Sequence, residues 1–245
     1  MFSSARVLYW SNGRKLNRKA SNMQPWQAAK GLLAHAASFG FCRFAADANQ
    51  IDELIQALRR LQFVVSSTSL QIKQVSNARP NTLSAKHGAG AFPFHTDFAF
   101  RPMPARYILL LNPTGSNFQR PTLIARLDKL APALQQIIQN SIWKLVAPQK
   151  HFLVSGRFIR NDQIVWRWDC DFLAPVNSDA FEARRCVPDA LSEIAEQIVW
   201  GRQDAVLIDN WYCAHARGEA KSNDQNEPNR ALLRYEFWGD ARIVL

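Results

Sequence analysis

The chain has 245 residues, 47% of them hydrophobic and 20% charged, with 15 Phe and 8 Trp; this excludes a disordered chain and allows a packed core. Thirty Lys and Arg against 20 Asp and Glu give a formal charge of +10, a field that concentrates anions, whether small carboxylates or nucleic acid. No linker, low-complexity tract or internal repeat interrupts it, so a single domain over 1–245 is expected.

The opening stretch, "MFSSARVLYWSNGRKLNRKASNM", lacks the apolar run of a signal peptide. Its "NGRKLNRK" (12–19) is the densest basic cluster and reads as a solvated surface or an anion contact. "QPWQAAKGLLAHAASFG" predicts a helix, with Pro25 at the first position and Gly40 past the end. His35 inside it is an ordinary packed or surface histidine. "NQIDELIQALRRLQF" predicts a second helix, with Ile51, Leu54, Ile55, Leu58 and Leu61 on one face. "VPDALSEIAEQIVWG" predicts a third between Pro188 and Gly201, with Leu191, Ile194 and Ile198 in register.

Strand patterns occupy 105–112 ("ARYILLLN"), 163–172 ("QIVWRWDCDF"), 205–211 ("AVLIDNW") and 231–238 ("ALLRYEFW"). They do not alternate with helices, so the expected class is mainly β with α, a sandwich or jelly roll with helices outside. Cys42, Cys170, Cys186 and Cys213 form no CxxC pair and read as free thiols of a reducing compartment. With no transmembrane span either, a cytoplasmic protein is expected.

The chemistry concentrates in "FPFHTDFAF" (92–100). If this segment is extended, His95 and Asp97 point to one side. A His-x-Asp pair alone is weak evidence, and His87 and His151 have no partner. His215 differs, because it follows a buried-looking strand in "AVLIDNWYCAHARGEA" and precedes Arg230 and Arg234 in "NRALLRYEF", four apart on a strand pattern. Two histidines and one carboxylate suit Fe(II) with open coordination positions. A 2-oxo acid fills two of these and dioxygen the third, while an arginine pairs with the far carboxylate.

"FHTDFAF", "RPTLIARLDKLAPAL", "LIDNWYCAHAR" and "NRALLRYEF", with Arg-Pro-x-Pro-x-Arg-Tyr at 101–107, resemble the Fe(II)/2-oxoglutarate-dependent dioxygenases of the taurine dioxygenase and clavaminate synthase-like family. The resemblance covers roughly 83–240 and implies a double-stranded β-helix, or jelly-roll, core there, with 1–82 as an elaboration. It implies iron at His95, Asp97 and His215, and 2-oxoglutarate at Thr122 and Arg230. Arg234 would face an anionic end of the substrate. Asp97, in place of the Gly or Ala of halogenases, leaves no ligand position for halide. "GRQDAVLIDN" departs from the family's usual Pro-Gly-Asp turn.

The implied reaction is hydroxylation or desaturation of an unactivated C–H bond, with O2 as cosubstrate and succinate and CO2 released. The substrate is expected to be small, amino-acid-like or otherwise anionic; nucleic acid and membrane are not expected partners, and a homo-oligomer is open. Asn81, Ser84 and Lys86 line the pocket or serve a turn. Arg167 meets an anionic substrate or covers a sheet face. Trp211 and Tyr212 are expected to pack. Two other readings stay open, a metal-binding jelly roll without oxygenase activity and a basic nucleic-acid-binding protein.

Overall fold

The computed structural model describes residues 8–11, 14–17, 25–71, 75–78, 82–88, 90–113, 118–146, 152–219 and 231–239. Arg230, Asn81 and His151, all singled out above, lie outside the described residues, as does much of the 12–19 cluster.

The first two predicted helices form where the pattern puts them. Helix α1 (Pro25–Phe39) ends at Gly40, whose φ of 90° only glycine adopts without strain. Helix α2 (Ala48–Arg60) starts on a capping box. The Asp47 carboxylate accepts from Gln50 N at 2.9 Å, and the Gln50 side chain accepts from Asp47 N at 3.0 Å. Its Ile51, Leu54, Ile55 and Leu58 are buried.

The third helix is a correction. Helix α5 runs Ser178–Ile194, capped by the Asn177 side chain, which accepts from Ala180 N, and Pro188 lies within it. The expected continuation, "EQIVW", is instead strand β13 (Glu196–Trp200). Its Ile198 and Trp200 are buried while Gln197 and Val199 are exposed, so the period of two prevails once a partner strand is present. Short helices α3 (Leu83–His87) and α4 (Pro132–Asn140) complete the helical set among the described residues.

Two antiparallel sheets make the core. The larger has seven strands. They are β1 (Leu8–Ser11), β2 (Arg14–Asn17), β3 (Phe41–Ala45), β4 (Val64–Gln71), β6 (Tyr107–Leu111), β14 (Asp204–Asp209) and β16 (Ala231–Trp238), in the order β2-β1-β3-β14-β6-β16-β4. Strands β3 and β4, from the chain before residue 83, are thus integral to it. The smaller sheet has four strands. β13 pairs with β7 (Phe118–Arg126), β7 with β15 (Cys213–Arg217) and β15 with β5 (Phe92–His95). Beside them lie a three-stranded sheet of β8 (Ile142–Leu145), β9 (Leu153–Ser155) and β12 (Leu173–Pro175), and a hairpin of β10 (Arg157–Arg160) and β11 (Gln163–Trp166). β11 stops at Trp166, so the strand expected over 163–172 is shorter.

Side-chain alternation assigns each face. Tyr107, Leu109, Leu111, Ala205 and Leu207 turn outward and pack under α1 and α2. Ile108, Leu110, Val206 and Ile208 turn inward and meet Ile124, Ile198, Trp200 and Cys213 of the smaller sheet. Ala125, Ala214 and Ala216 turn away from that interior and pack under α5 through Ala180, Ala183, Val187 and Leu191. The architecture is a jelly roll of two face-to-face sheets with helices on both outer faces. No helix among the described residues is long and apolar enough to cross a membrane.

Candidate metal centre

β15 and β5 are neighbours with His215 opposite His95. The two imidazoles therefore share the inner face, with ring centroids 4.4 Å apart. His215 thus stands on a strand of its own, β15, beyond the buried strand β14 that precedes it. Asp97 does not reach the site by strand alternation, since β5 ends at His95 and the chain turns through Thr96 to Phe98, whose φ is 60°. Thr96 holds that turn, its N–H donating to Trp168 O at 2.7 Å. One candidate ligand atom from each of His95, Asp97 and His215 lies within 4.8 Å of the others, and all three residues are buried.

The donor set fits a divalent transition metal. His95 Nδ1 sits 3.1 Å from Pro93 O, a contact that takes the N–H and leaves Nε2 as the free ligand. Asp97 Oδ1 accepts from Arg234 Nη1 at 2.8 Å; Oδ2 is buried without a hydrogen bond and faces His215 Nε2 at 3.6 Å. Burial, joined by the positive fields of His95 and Arg234, pulls the His215 pKa down to about 3, against the opposing pull of Asp97. Burial also pushes the Asp97 carboxyl up, but Arg234, His215 and His95 together outweigh it and hold the pKa below its ordinary value. A neutral imidazole beside an ionised carboxylate is the state a metal ligand needs.

The segment "DNW" (209–211) carries Asp97. The Asn210 amide is fully buried; its oxygen accepts from Asp97 N at 2.7 Å, and its nitrogen donates to Asp97 O at 3.0 Å and Ala105 O at 2.9 Å. Next to it Arg106 Nη2 donates to Asp209 Oδ2 at 3.0 Å, and the guanidinium lies 4.3 Å over the Trp211 ring. Burial raises the Asp209 pKa to about 6, opposed by Arg106 and by the N–H of Trp211. Trp211 is buried and donates to Pro104 O, so it packs, as expected.

The triad opens onto a cavity of about 570 Å³ between the two sheets. Of the residues singled out in the sequence, Thr122, Arg234 and Ser84 line it with the triad. Thr122 Oγ1 accepts from Trp200 Nε1 at 3.0 Å. Arg234 Nε donates to Glu236 Oε1 at 2.9 Å.

Arg167 stands apart from these residues. It does not line the cavity, being 3% exposed, donating to Arg101 O and Pro102 O and covering the Phe158 ring at 4.6 Å. Its Nη2 serves these two loop carbonyls, while its Nε is buried without a hydrogen-bond partner. Lys86 and His87 both engage Asp171, at 3.4 and 2.7 Å.

Sequence reasoning missed four residues here. Asn210 sat unremarked in a quoted motif. Asp169, which bridges to His95 in the sheet, and Arg120 and Arg217 also line the cavity. Strand alternation from His215 could have marked Arg217; Asn210, Asp169 and Arg120 carry no such signal.

This fold is that of the non-haem iron oxygenases. A crystal structure of the non-haem iron oxygenase OrfP with Fe, succinate and (3S)-hydroxy-L-Arg superposes on 86% of this chain and 81% of that one, with TM-score 0.60 and 14% identity. Asparagine oxygenase, AsnO, covers 87% and 77% with TM-score 0.59 and 13% identity. The PvcB protein from Pseudomonas aeruginosa covers 86% and 79% with TM-score 0.59 and 14% identity. Against two further OrfP structures, with Fe and with Fe and alpha-ketoglutaric acid, the match spans 50% and 64% of that chain. At these identities the likeness is one of fold. No sequence-family model and no curated protein matches the chain.

Proposed function

We propose that this protein is an Fe(II)/2-oxoglutarate-dependent oxygenase that hydroxylates or desaturates a C–H bond of a small, amino-acid-like substrate. One observation carries the reading. Two histidines and an aspartate from two distant chain segments converge within 4.8 Å at the wall of a cavity in this fold. Iron, 2-oxoglutarate and O2 would together supply the oxidising chemistry, the cosubstrate being converted to succinate and CO2.

The chain's residues bind, orient and exclude water. His95, Asp97 and His215 would hold the iron on one face, leaving the cavity side to ligands. Thr122 offers its hydroxyl to a cosubstrate carboxylate, and Arg230 has the same role by family resemblance. Phe92, Phe98 and Phe100 line the cavity and keep it dry.

Two opposite charges face the substrate space. Arg234 lines it, with Nη1 and Nε serving Asp97 and Glu236. Asp169 Oδ1 accepts from the N–H groups of Asp171 and Phe172 at 2.8 and 2.9 Å, while its Oδ2 has no hydrogen bond among the described residues. A carboxylate and an ammonium on one small molecule match that pair, which supports a zwitterion. The hydroxylated arginine bound by OrfP, and the asparagine oxygenase name, support the same class. Four free thiols accord with a reducing, cytoplasmic setting.

The test is an anaerobic titration with Fe(II) and 2-oxoglutarate followed by visible absorption, on the native chain and on His95→Ala. A charge-transfer band that needs both additions and vanishes in the variant supports the reading. A folded native chain that gives no band refutes it.

A further inference from the structure

Strand β16 sets Arg234, Glu236 and Trp238 on one face, because side chains two apart share a side. Its neighbour β4 brings Thr68 opposite Arg234 and Ser66 opposite Glu236. Glu236 is 3% exposed, an uncommon place for a carboxylate, and its neighbours satisfy it. Ser66 Oγ donates to Oε2, Thr68 Oγ1 to Oε1 at 3.3 Å, and Arg234 Nε to Oε1 at 2.9 Å. Trp238 Nε1 holds Ser66 Oγ in turn at 3.2 Å.

The same guanidinium reaches the candidate metal centre. Arg234 Nη1 donates to Asp97 Oδ1 at 2.8 Å. The guanidinium also lies 5.2 Å from the centre of the Phe98 ring, the residue whose φ of 60° turns the chain after Asp97. Asp97 Oδ2 is buried without a hydrogen bond and faces His215 Nε2 at 3.6 Å. Asn210 serves only the backbone of Asp97, so among the described residues the orientation of the carboxylate rests on Arg234. Charge-assisted bonds of this kind are short and directional. Two of the three guanidinium nitrogens are thus committed before any substrate arrives, each to a different carboxylate.

We propose that Arg234 and Glu236 are positioning residues that act through Asp97. Glu236 anchors the guanidinium, and the guanidinium takes Oδ1, which leaves Oδ2 as the oxygen free for a divalent metal ion. The inference rests on the metal centre of the oxygenase reading and deepens it, giving Arg234 a role that needs no substrate. Field and position act in opposite directions here. A cation beside a divalent ion weakens its binding through space, so by field alone removing Arg234 tightens the site. If Arg234 supplies orientation, removing it loosens the site, as losing a ligand's hydrogen-bonded support does.

The experiment is a Co(II) titration by visible absorption, with no 2-oxo acid or substrate present, and urea unfolding of each metal-free variant beside it. Arg234→Met combined with Glu236→Gln carries the decision, because it removes one charge of each sign and leaves no unpaired carboxylate at 236. Its Co(II) Kd is expected to rise roughly tenfold to a hundredfold. Arg234→Met alone is expected to weaken binding too, although it removes a positive charge beside the ion. Arg234→Lys is expected to fall between these and the native chain, as a point charge in place of a fork. A folded double variant that binds Co(II) within about twofold of native affinity, or tighter binding by Arg234→Met, overturns the inference and leaves the oxygenase reading standing. Lower urea stability with an unchanged Kd does the same, since it marks a purely structural ion pair. If the double variant does not fold, Arg234→Lys decides, and native affinity there overturns the inference. A native chain that binds Co(II) but gives no band with Fe(II) and 2-oxoglutarate loses the oxygenase reading and keeps this test intact; one that binds no Co(II) loses both.

Discussion

Asn210→Ala tests whether the Asp97 carboxylate is held in place by one buried amide. The substitution removes an acceptor from Asp97 N and a donor from Asp97 O and Ala105 O, at a residue of 0% exposure. Each backbone group left buried without a partner costs about 1–3 kcal/mol. The loss of stability is expected at about 3–5 kcal/mol, at the upper end of what single substitutions do. Asp97 then drifts in its turn, and metal affinity is expected to fall roughly tenfold to a hundredfold, as when a ligand's supporting hydrogen bond is lost. Asn210→Asp keeps the acceptor for Asp97 N but sets a buried carboxylate oxygen against the Asp97 and Ala105 carbonyls, so it should do no better than Ala. Urea unfolding measures the first quantity, and Co(II) titration by visible absorption the second. An Ala variant that loses less than about 1 kcal/mol and binds Co(II) within about twofold of native affinity refutes the reasoning.

Two further outcomes follow from buried contacts. Asp209 titrates at its ordinary 3.8 when unfolded and at about 6 when folded, so the folded state holds the proton longer. Its stabilising contribution is full below pH 3.8 and is lost as pH rises through about 6, on the order of 3 kcal/mol in all. Unfolding free energies across pH 4 to 7 should show a downward segment that Asp209→Asn flattens; equal slopes in both chains would sink the argument. Gly40→Ala should cost about 2–4 kcal/mol in thermal or urea unfolding, from a left-handed φ and an overpacked contact. Its Cβ would stand 2.6 Å from Cys213 Sγ and 2.8 Å from Arg126 Cγ. Adding Cys213→Ala should recover the share of the clash due to Sγ and leave the Arg126 contact and the backbone share, and full recovery would show that φ contributes nothing.

Local rules account for much of what the sequence determined by itself. Asp47 and Gln50 start α2 through a capping box, and Gly40 ends α1, because each satisfies backbone groups within a turn of itself. The apolar runs of β6, β14 and β16 read as strands because both of their faces are covered or half-covered. The triad was legible because His95 and Asp97 lie in one short motif and His215 in another. Tertiary structure decided the rest. "EQIVW" carries both helical and alternating spacing, and only pairing with β7 across Thr122 and Ile124 makes it β13. Arg167 turns its Nη2 to the loop carbonyls of Arg101 and Pro102, and it is not among the residues lining the cavity. Asn210, Asp169, Arg120 and Arg217 entered it because strand register and turns bring them beside His95, Asp97 and Thr122 from far along the chain. A period in sequence reports which face a side chain takes; which neighbour it meets on that face depends on pairing between distant strands.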